Sequence, residues 1–139
     1  MKKKIAILGS TGSIGKTTFN IIKKNKKDFE VVLLTTNKNI KEILKQAKKL
    51  NVNNIIIRSK KHYLKVLKNK KYKKLKIYND FYAVNKILKK KVDYCMCAIT
   101  GLPGLEPTLN FIKHRNKSFD YTICIIYYTS SLLELLLHL

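Results

Sequence analysis

The chain is poor in several residue types that mark particular classes of protein. Its 139 residues include no tryptophan, two prolines, three cysteines and eight acidic residues. So few prolines together with 45% hydrophobic residues exclude a disordered chain, and the length suits a single domain. No stretch reaches the roughly 18 consecutive apolar residues of a membrane span. No secretory signal is visible either, since Lys2–Lys4 precede an apolar run that Gly9 ends. A cytoplasmic location is therefore expected.

The few cysteines and histidines do not form a metal-binding set. Cys95 and Cys97 are two residues apart in a predicted strand, so their side chains lie on the same face. No further Cys or His stands at a suitable spacing, and the three histidines share no constellation of ligands. Cys95, Cys97 and Cys124 are therefore predicted to be buried reduced thiols rather than zinc ligands.

Arginine is nearly absent from a chain whose formal net charge is +22, since 28 of its 30 basic residues are lysine. Such a charge is typical of proteins that bind nucleic acids or anionic membranes. However, contacts that read bases or grip phosphates favour arginine. Lys, Asn, Ile and Tyr, which have A/T-rich codons, make up nearly half of the chain. Biased codon usage is therefore the favoured explanation, with no specific nucleic-acid or membrane partner; a basic nucleic-acid-binding module is the alternative.

Apolar runs alternate with helical patterns along the chain, and this alternation is typical of parallel βαβ units with right-handed crossovers. The sequence predicts an α/β protein with a Rossmann-like, doubly wound, mostly parallel sheet and helices on both faces. The predicted strands are Lys4–Leu8, Glu30–Thr35, Asn54–Arg58, Leu75–Tyr78 and Val92–Ala98. The predicted helices are Ser13–Lys24, Asn39–Leu50, Lys60–Asn69, Tyr82–Lys89 and Gly104–His114.

A glycine-rich turn joins the first predicted strand to the first predicted helix. Gly9, Gly12 and Gly15 stand at three-residue spacing. Glycines at such a junction permit a tight turn, the approach of a pyrophosphate to the backbone, and close packing of helix on strand. The helix N-terminus adds unpaired N–H groups and a positive dipole end. This segment is therefore predicted to bind phosphate groups.

Two kinds of phosphate site fit this turn. The usual dinucleotide-binding turn reads G-x-G-x-x-G, and the G-x-x-G-x-x-G of this chain is a relative of it. Gly15-Lys16-Thr17 suggests instead the P-loop of a nucleotide hydrolase. However, Ser10 stands where a P-loop needs glycine, and no acidic residue ends a later apolar strand to hold magnesium. The dinucleotide interpretation is favoured; the P-loop and a turn without any ligand are the alternatives.

The segment after the second strand bears on the type of dinucleotide. Proteins that bind NAD usually carry an Asp or Glu there to accept a hydrogen bond from the ribose 2′-hydroxyl. No acidic residue occurs between Val31 and Lys41, whereas Lys38 could attract a 2′-phosphate. The sequence therefore favours NADP over NAD. Alternatively, Lys38 is one of many surface lysines and Asn39 is the N-cap of the next helix.

Four segments together resemble the N-terminal part of 1-deoxy-D-xylulose 5-phosphate reductoisomerase. They are Ile7–Gly15, Thr18-Phe19, Asn37–Asn39 and Ala98–Leu109, the last of which looks like the family's Gly-x-x-Gly-Leu-x-Pro-Thr segment. The resemblance implies an NADPH-dependent oxidoreductase and isomerase of non-mevalonate isoprenoid biosynthesis. Such enzymes convert 1-deoxy-D-xylulose 5-phosphate to 2-C-methyl-D-erythritol 4-phosphate with magnesium or manganese, usually as homodimers.

The resemblance also implies which residues contact the cofactor. The glycine turn would hold the pyrophosphate, and the segment after the second strand would hold the adenosine 2′-phosphate. The segment after the fifth strand would lie near the nicotinamide side. Asn37 departs from the family, which commonly has glycine at that position. No catalytic or metal-binding residue is assigned. The predicted cofactor-binding residues are Gly9, Thr11, Gly12, Ser13, Ile14, Gly15, Asn37, Lys38, Asn39, Ala98 and Ile99.

The resemblance weakens after the fifth predicted helix. Near residues 121–125 the family has Ala-Asn-Lys-Glu-Ser, whose Lys and Glu touch substrate and cofactor, whereas this chain has Tyr-Thr-Ile-Cys-Ile. Residues 1–118 are therefore predicted to be an NADPH-binding domain and residues 119–139 a divergent tail, with a strand at Tyr121–Tyr128 and a helix at Leu132–Leu137. A truncated or frameshifted protein, inactive alone and without its catalytic and C-terminal domains, is expected; a genuine short cofactor-binding protein is the alternative.

Overall fold

A computed structural model describes residues 1–87, 92–115 and 123–126 of the chain. Within these ranges, strands and helices alternate from the first element to the last. The strands are β1 (Lys3–Leu8), β2 (Phe29–Thr36), β3 (Asn54–Ile57), β4 (Lys76–Tyr78), β5 (Tyr94–Cys97) and β6 (Ile123–Ile126). The α-helices are α1 (Ser13–Lys24), α2 (Ile40–Leu50), α3 (Lys60–Leu67), α4 (Val84–Ile87) and α5 (Leu105–Arg115).

All described strands pair in parallel, in the order β4-β3-β2-β1-β5-β6. The chain moves outward from β1 through β2 and β3 to β4, and then returns to the other side of β1 with β5. This reversal between β1 and β5 is a topological switch point, where open α/β sheets bind ligands beyond the carboxyl ends of their strands. The predicted doubly wound parallel sheet is confirmed.

Two apolar clusters cover the two faces of the sheet. The crossovers that contain α1, α2 and α3 run in one direction along the sheet, and these helices pack on one face. The crossover that contains α4 runs in the opposite direction, and α4 packs on the other face. This arrangement is required when all crossovers have the same hand. The first cluster comprises Ile5, Ile7, Ile22, Val31, Leu34, Ile43, Ala47, Val52, Ile55, Ile57 and Val66. The second comprises Ala6, Leu8, Leu33, Ile56, Phe81, Val84, Val92, Cys95 and Cys97.

An irregularity in β2 decides which of its residues reach each face. Ile5 pairs with Val31, but the next residue, Ala6, pairs with Leu33, so β2 has one extra residue at this point. Because a β-bulge changes the alternation of side chains, Val31 and Leu34 belong to the same cluster although they are three residues apart. Strict alternation along the sequence would have placed them on opposite faces.

The predicted elements are present, with differences at their ends. The predicted helix at Tyr82–Lys89 begins instead as a 3-10 turn over Phe81–Ala83, because Asp80 Oδ1 accepts a hydrogen bond of 3.1 Å from the Ala83 N–H. The strand predicted at Tyr121–Tyr128 contains β6. The helix predicted at Leu132–Leu137 lies outside the described residues.

Cys95 and Cys97 are buried reduced thiols, as predicted; the side chain of Cys124 lies outside the described part. Within the described ranges, no group of three or more Cys, His, Asp or Glu side chains could hold a metal ion. None of the helices in these ranges has the length and apolar character needed to cross a membrane.

Leu34 provides a test of the core. Its side chain is fully buried between β2 and the helices of the first cluster. Leu34→Ala should therefore lower the free energy of unfolding by about 2–5 kcal/mol, the usual cost of a core cavity. Ile21→Ala is the control, because Ile21 is 55% exposed, and its effect in urea denaturation should be much smaller. Equal losses for the two variants would contradict this description of the core.

Candidate nucleotide-binding site

A cavity of about 600 Å³ opens at the carboxyl ends of the central strands. Its size lies within the range of about 300–1,000 Å³ that small-molecule and cofactor sites occupy. Loops that follow β1, β2, β3 and β5 all contribute to it, so it occupies the switch point of the sheet. The lining residues are Gly9, Thr11, Gly12, Thr35, Thr36, Asn37, Arg58, Phe81, Ala98, Ile99, Thr100, Pro103 and Glu106.

The three glycines of the β1–α1 turn have different steric environments. Gly9 has a φ of +74°, and a Cβ there would lie 2.9 Å from the Ala98 carbonyl oxygen. A Cβ at Gly15 would collide with the Gly9 carbonyl oxygen and lie 2.6 Å from Ser10 Cα. A Cβ at Gly12 would meet its nearest atom at 3.5 Å. Gly9 and Gly15 therefore permit close backbone packing, whereas Gly12 keeps the space beside the cavity open.

The N-terminus of α1 is suited to an anionic group. Gly12 is the N-cap, no side chain caps the helix, and the first turn contains no acidic residue. Because the first N–H groups of a helix lack intrahelical acceptors, they are available to a ligand and carry the positive end of the helix dipole. Ser13 and Ile14 follow Gly12 at this end of α1 and are not among the residues that line the cavity.

Hydroxyl groups at the end of β2 hold the glycine turn in place. The Gly9 N–H donates to Thr35 Oγ1 at 2.8 Å, and the Ser10 N–H donates to the Thr35 carbonyl at 2.9 Å. The hydroxyls of Thr11 and Thr36 lie 2.7 Å apart and hydrogen-bond to each other. Thr35 and Thr36 were not predicted as site residues; their hydroxyls at the end of an apolar strand were the signal for this role.

Gln46 of α2 supports the same turn from behind. It is fully buried, and its Nε2 donates to the Ser10 carbonyl oxygen at 2.9 Å. Its Oε1 has no hydrogen-bond partner among the described residues. The sequence signal for this contact is a polar residue on the apolar face of α2, next to the buried Ala47. Sequence reasoning missed it because only the tertiary structure brings α2 against the turn.

The segment after β2 lies partly in the cavity. Asn37 lines it, whereas Lys38 and Asn39 are exposed and do not. The Asn39 side chain caps α2, since its Oδ1 accepts a hydrogen bond of 3.1 Å from the Glu42 N–H. The alternative interpretation of Asn39 as an N-cap is thus confirmed, and cofactor contacts of Lys38 and Asn39 stay predictions.

The segment after β5 forms the opposite wall of the cavity. The Ala98 N–H donates to the Leu8 carbonyl at 2.8 Å and continues the pairing of β5 with β1. Ala98 and Ile99 both line the cavity, as do Thr100, Pro103 and Glu106, which were not predicted. The predicted residues Gly9, Thr11, Gly12, Asn37, Ala98 and Ile99 therefore come together at one cavity.

Arg58 and Phe81 are the other lining residues that sequence reasoning missed. Arg58 follows β3 directly, and Phe81 opens the 3-10 turn before α4. The sequence placed Arg58 only at the end of the predicted strand Asn54–Arg58. Arginine is scarce in this sequence, and Arg58 directly follows a buried strand. These two features were the signals that pointed to the site.

The structure offers little for a P-loop. Lys16 is exposed and does not line the cavity. Asp93 precedes β5, and its Oδ2 accepts a hydrogen bond of 2.7 Å from the N–H of Lys4 at the start of β1. This carboxylate therefore lies at the amino ends of the strands, far from the glycine turn. It cannot hold a magnesium ion beside a bound phosphate.

Comparison with known proteins agrees with this geometry. The family model for 1-deoxy-D-xylulose 5-phosphate reductoisomerase matches residues 5–118. This chain belongs to the reductoisomerase family. The reductoisomerase of Pelagibacter ubique is 50% identical over 125 residues, covering 88% of this chain and 31% of the relative. The reductoisomerase of Buchnera aphidicola is 40% identical over 114 residues, covering 80% and 29%.

Solved reductoisomerase structures share the fold. The enzyme from Zymomonas mobilis in complex with NADPH superposes with a TM-score of 0.74 at 26% identity, covering 89% of this chain and 32% of that chain. A reductoisomerase solved with NADPH, fosmidomycin and magnesium gives a TM-score of 0.78 at 24% identity, covering 94% and 31%. The present chain thus spans about a third of the length of the reductoisomerases it matches.

Gly15 and Gly12 provide a paired test of the turn. Replacing an interior helical glycine with alanine normally stabilises a helix by about 1 kcal/mol. At Gly15 the new Cβ meets backbone atoms, so Gly15→Ala should instead destabilise the protein by about 1–3 kcal/mol, as overpacking does. Gly12→Ala, whose Cβ has room, should change the melting temperature little. A stabilised Gly15→Ala variant would contradict the close packing of α1 on the turn.

Gln46 is a second test of how the turn is held. Gln46→Met keeps the approximate size of the side chain but leaves the buried Ser10 carbonyl without its donor. An unsatisfied buried carbonyl costs about 1–3 kcal/mol, so the variant should unfold at lower urea concentration. Lys45→Met on the exposed side of the same helix is the matched control and should have little effect. Wild-type stability of Gln46→Met would contradict a net stabilising role of Gln46, because the lost hydrogen bond would then be offset by removal of the unpartnered Oε1.

Proposed function

We propose that this chain binds NADPH and forms the nucleotide-binding part of an enzyme that converts 1-deoxy-D-xylulose 5-phosphate to 2-C-methyl-D-erythritol 4-phosphate. The observation that carries the proposal is the cavity at the switch point, with an uncapped helix N-terminus after β1 and no acidic residue after β2. Family membership supports the same conclusion. So does the Zymomonas mobilis relative, which was solved with NADPH.

The turn after β1 fits a pyrophosphate. The open space beside Gly12 leaves room for phosphate oxygens, and the first N–H groups of α1 can donate to them. We assign this contact to the backbone N–H groups of Ser13 and Ile14 and to the hydroxyl of Thr11, which hydrogen-bonds to that of Thr36. The Gly12 N–H already donates to the Gly9 carbonyl oxygen at 3.1 Å, so Gly12 contributes open space rather than a donor. Gly9 and Gly15 contribute by allowing the backbone to pack closely enough.

The two sides of the cavity fit the two ends of the cofactor. Asn37, Lys38 and Asn39 after β2 would receive the adenosine 2′-phosphate, since this segment presents amides and a lysine without any carboxylate. Ala98 and Ile99 after β5 would lie beside the nicotinamide. Bound NADPH supplies a hydride for reduction of an aldehyde, and the residues of this chain bind and orient it.

The remaining parts of the proposed reaction concern the whole enzyme. The substrate is a sugar phosphate, the metal is magnesium or manganese, and the assembly is a homodimer. The described residues do not fit the metal, because no group of three or more ligating side chains occurs among them. We therefore assign the metal contacts to residues other than those that the structure describes. The division at residue 118, the inactivity of this chain alone and a cytoplasmic location stay predictions.

The cofactor preference can be measured directly. NADPH should bind at least about tenfold more tightly than NADH, because one charge-assisted hydrogen bond to the 2′-phosphate contributes about 1.5 kcal/mol or more. Lys38→Ala should narrow this difference by weakening NADPH alone. Calorimetric titration at fixed ionic strength measures both affinities, and Lys45→Ala on α2 removes the same charge as a control. Equal affinity for the two cofactors in the wild-type chain would refute the proposal.

A separate arm of this titration addresses the P-loop alternative. Magnesium-dependent binding of ATP that is lost in Lys16→Ala would favour a nucleotide hydrolase. The dinucleotide proposal expects no such binding, because Lys16 lies outside the cavity and Asp93 is hydrogen-bonded at the other end of the sheet.

A further inference from the structure

Arg58 is tied by its backbone to the segment proposed to hold the 2′-phosphate. Its N–H donates to the Thr36 carbonyl oxygen at 3.0 Å, and the N–H of Ser59 donates to the Asn37 carbonyl oxygen at 3.1 Å. The ends of β2 and β3 are thereby held side by side. Arg58 and Asn37 both line the cavity, so the arginine and the segment after β2 face the same space.

The guanidinium of Arg58 is held in one place by two neighbours. Its Cζ lies 5.0 Å from the centroid of the Phe81 ring, a distance typical of a cation–π contact. Its Nη1 donates to the Asn79 carbonyl oxygen at 3.2 Å. Asn79 Nδ2 in turn donates to the carbonyl oxygens of Ile57 at 2.7 Å and Arg58 at 3.0 Å. A cation held in this way loses little conformational freedom on binding a ligand.

The same guanidinium retains most of its binding capacity. It carries five N–H donors in a planar fork, and Asn79 receives one hydrogen bond from it. No carboxylate within the described ranges forms an ion pair with Arg58. The acidic residue among the described lining residues is Glu106 of α5. It follows β5, which lies on the opposite side of β1 from β2 and β3, so Glu106 belongs to the other wall of the cavity. The β2–β3 side of the cavity therefore carries an available, fixed positive charge.

We propose that Arg58 binds the adenosine 2′-phosphate of NADPH, together with Lys38, and so determines the preference for NADPH over NADH. This inference rests on the proposed function of the cavity. A guanidinium fork matches phosphate oxygens in two-point contacts that a lysine cannot make. Lys38 is exposed at the same segment and adds charge, whereas Arg58 is pre-positioned by Phe81 and Asn79.

The experiment compares four probes on the full chain. The first pair is NADPH and NADH, which differ by the 2′-phosphate. The second pair is adenosine 2′,5′-bisphosphate and adenosine 5′-phosphate, which differ by the same phosphate but lack the nicotinamide. Arg58→Gln should weaken NADPH and the bisphosphate at least about tenfold, the loss of one charge-assisted hydrogen bond, and leave the other two probes within about twofold. Arg58→Lys keeps the charge without the fork and should give an intermediate loss.

Two controls separate this effect from charge and folding. Lys65→Ala removes one positive charge from the exposed side of the neighbouring helix α3 and should leave all four affinities unchanged at fixed ionic strength. Arg58→Gln loses the contacts with Phe81 and Asn79, but because the Arg58 side chain is exposed, its melting temperature should fall only slightly. A cooperative melting transition close to that of the wild type would show that the chain is still folded.

The possible results distinguish failure of the proposed role of Arg58 from failure of the proposed NADPH-binding function. Retention of the full NADPH preference in Arg58→Gln would overturn the role of Arg58 and leave the proposed function intact. An equal loss for all four probes would mean that Arg58 contacts the adenine instead, which also overturns the inference. A wild-type chain that binds no NADPH would refute both proposals together.

Discussion

Close backbone packing around the β1–α1 turn is the constraint on which the site depends. Gly9 lies against the Ala98 carbonyl oxygen, and Gly15 lies against the backbone of Gly9 and Ser10. These contacts allow α1 to start directly beneath the turn and allow the segment after β5 to approach β1. A side chain at either glycine would separate the elements that form the cavity. The position of the α1 N-terminus and the two walls of the cavity therefore depend on the same absence of Cβ atoms.

Hydrogen bonds from neighbouring elements fix this turn without occupying it. Thr35 and Thr36 hold it from β2, and Gln46 holds it from α2. Arg58 and Ser59 extend the same arrangement to β3 through the carbonyls of Thr36 and Asn37. The first-turn N–H groups of α1 lie outside this set of contacts and are available to phosphate oxygens. The architecture thus combines a rigid frame with available donors, which is the pre-organisation that binding requires.

Some parts of the molecule follow from local sequence patterns, whereas others depend on contacts between distant residues. The order and type of the elements followed from hydrophobic periodicity, and the bounds of α1 agree with prediction because glycines mark its start clearly. The bulge in β2 and the 3-10 turn at Phe81–Ala83 were not predicted, since each depends on a partner distant in sequence or on one capping side chain. In the site, the residues of recognisable motifs were found, whereas Gln46, Arg58 and Phe81 belong to no motif.

The sequence by itself determined the α/β class, the glycine-rich turn between β1 and α1, the absence of an acid directly after β2 and the family. These are local properties, readable from residue spacing and from charge along a short segment. The tertiary structure decided which loops share one cavity, that Asn39 caps α2, and that Arg58 is held on Phe81 beside Asn37. These results depend on strand order and register, because parallel strands bring residues far apart in the chain to one edge of the sheet.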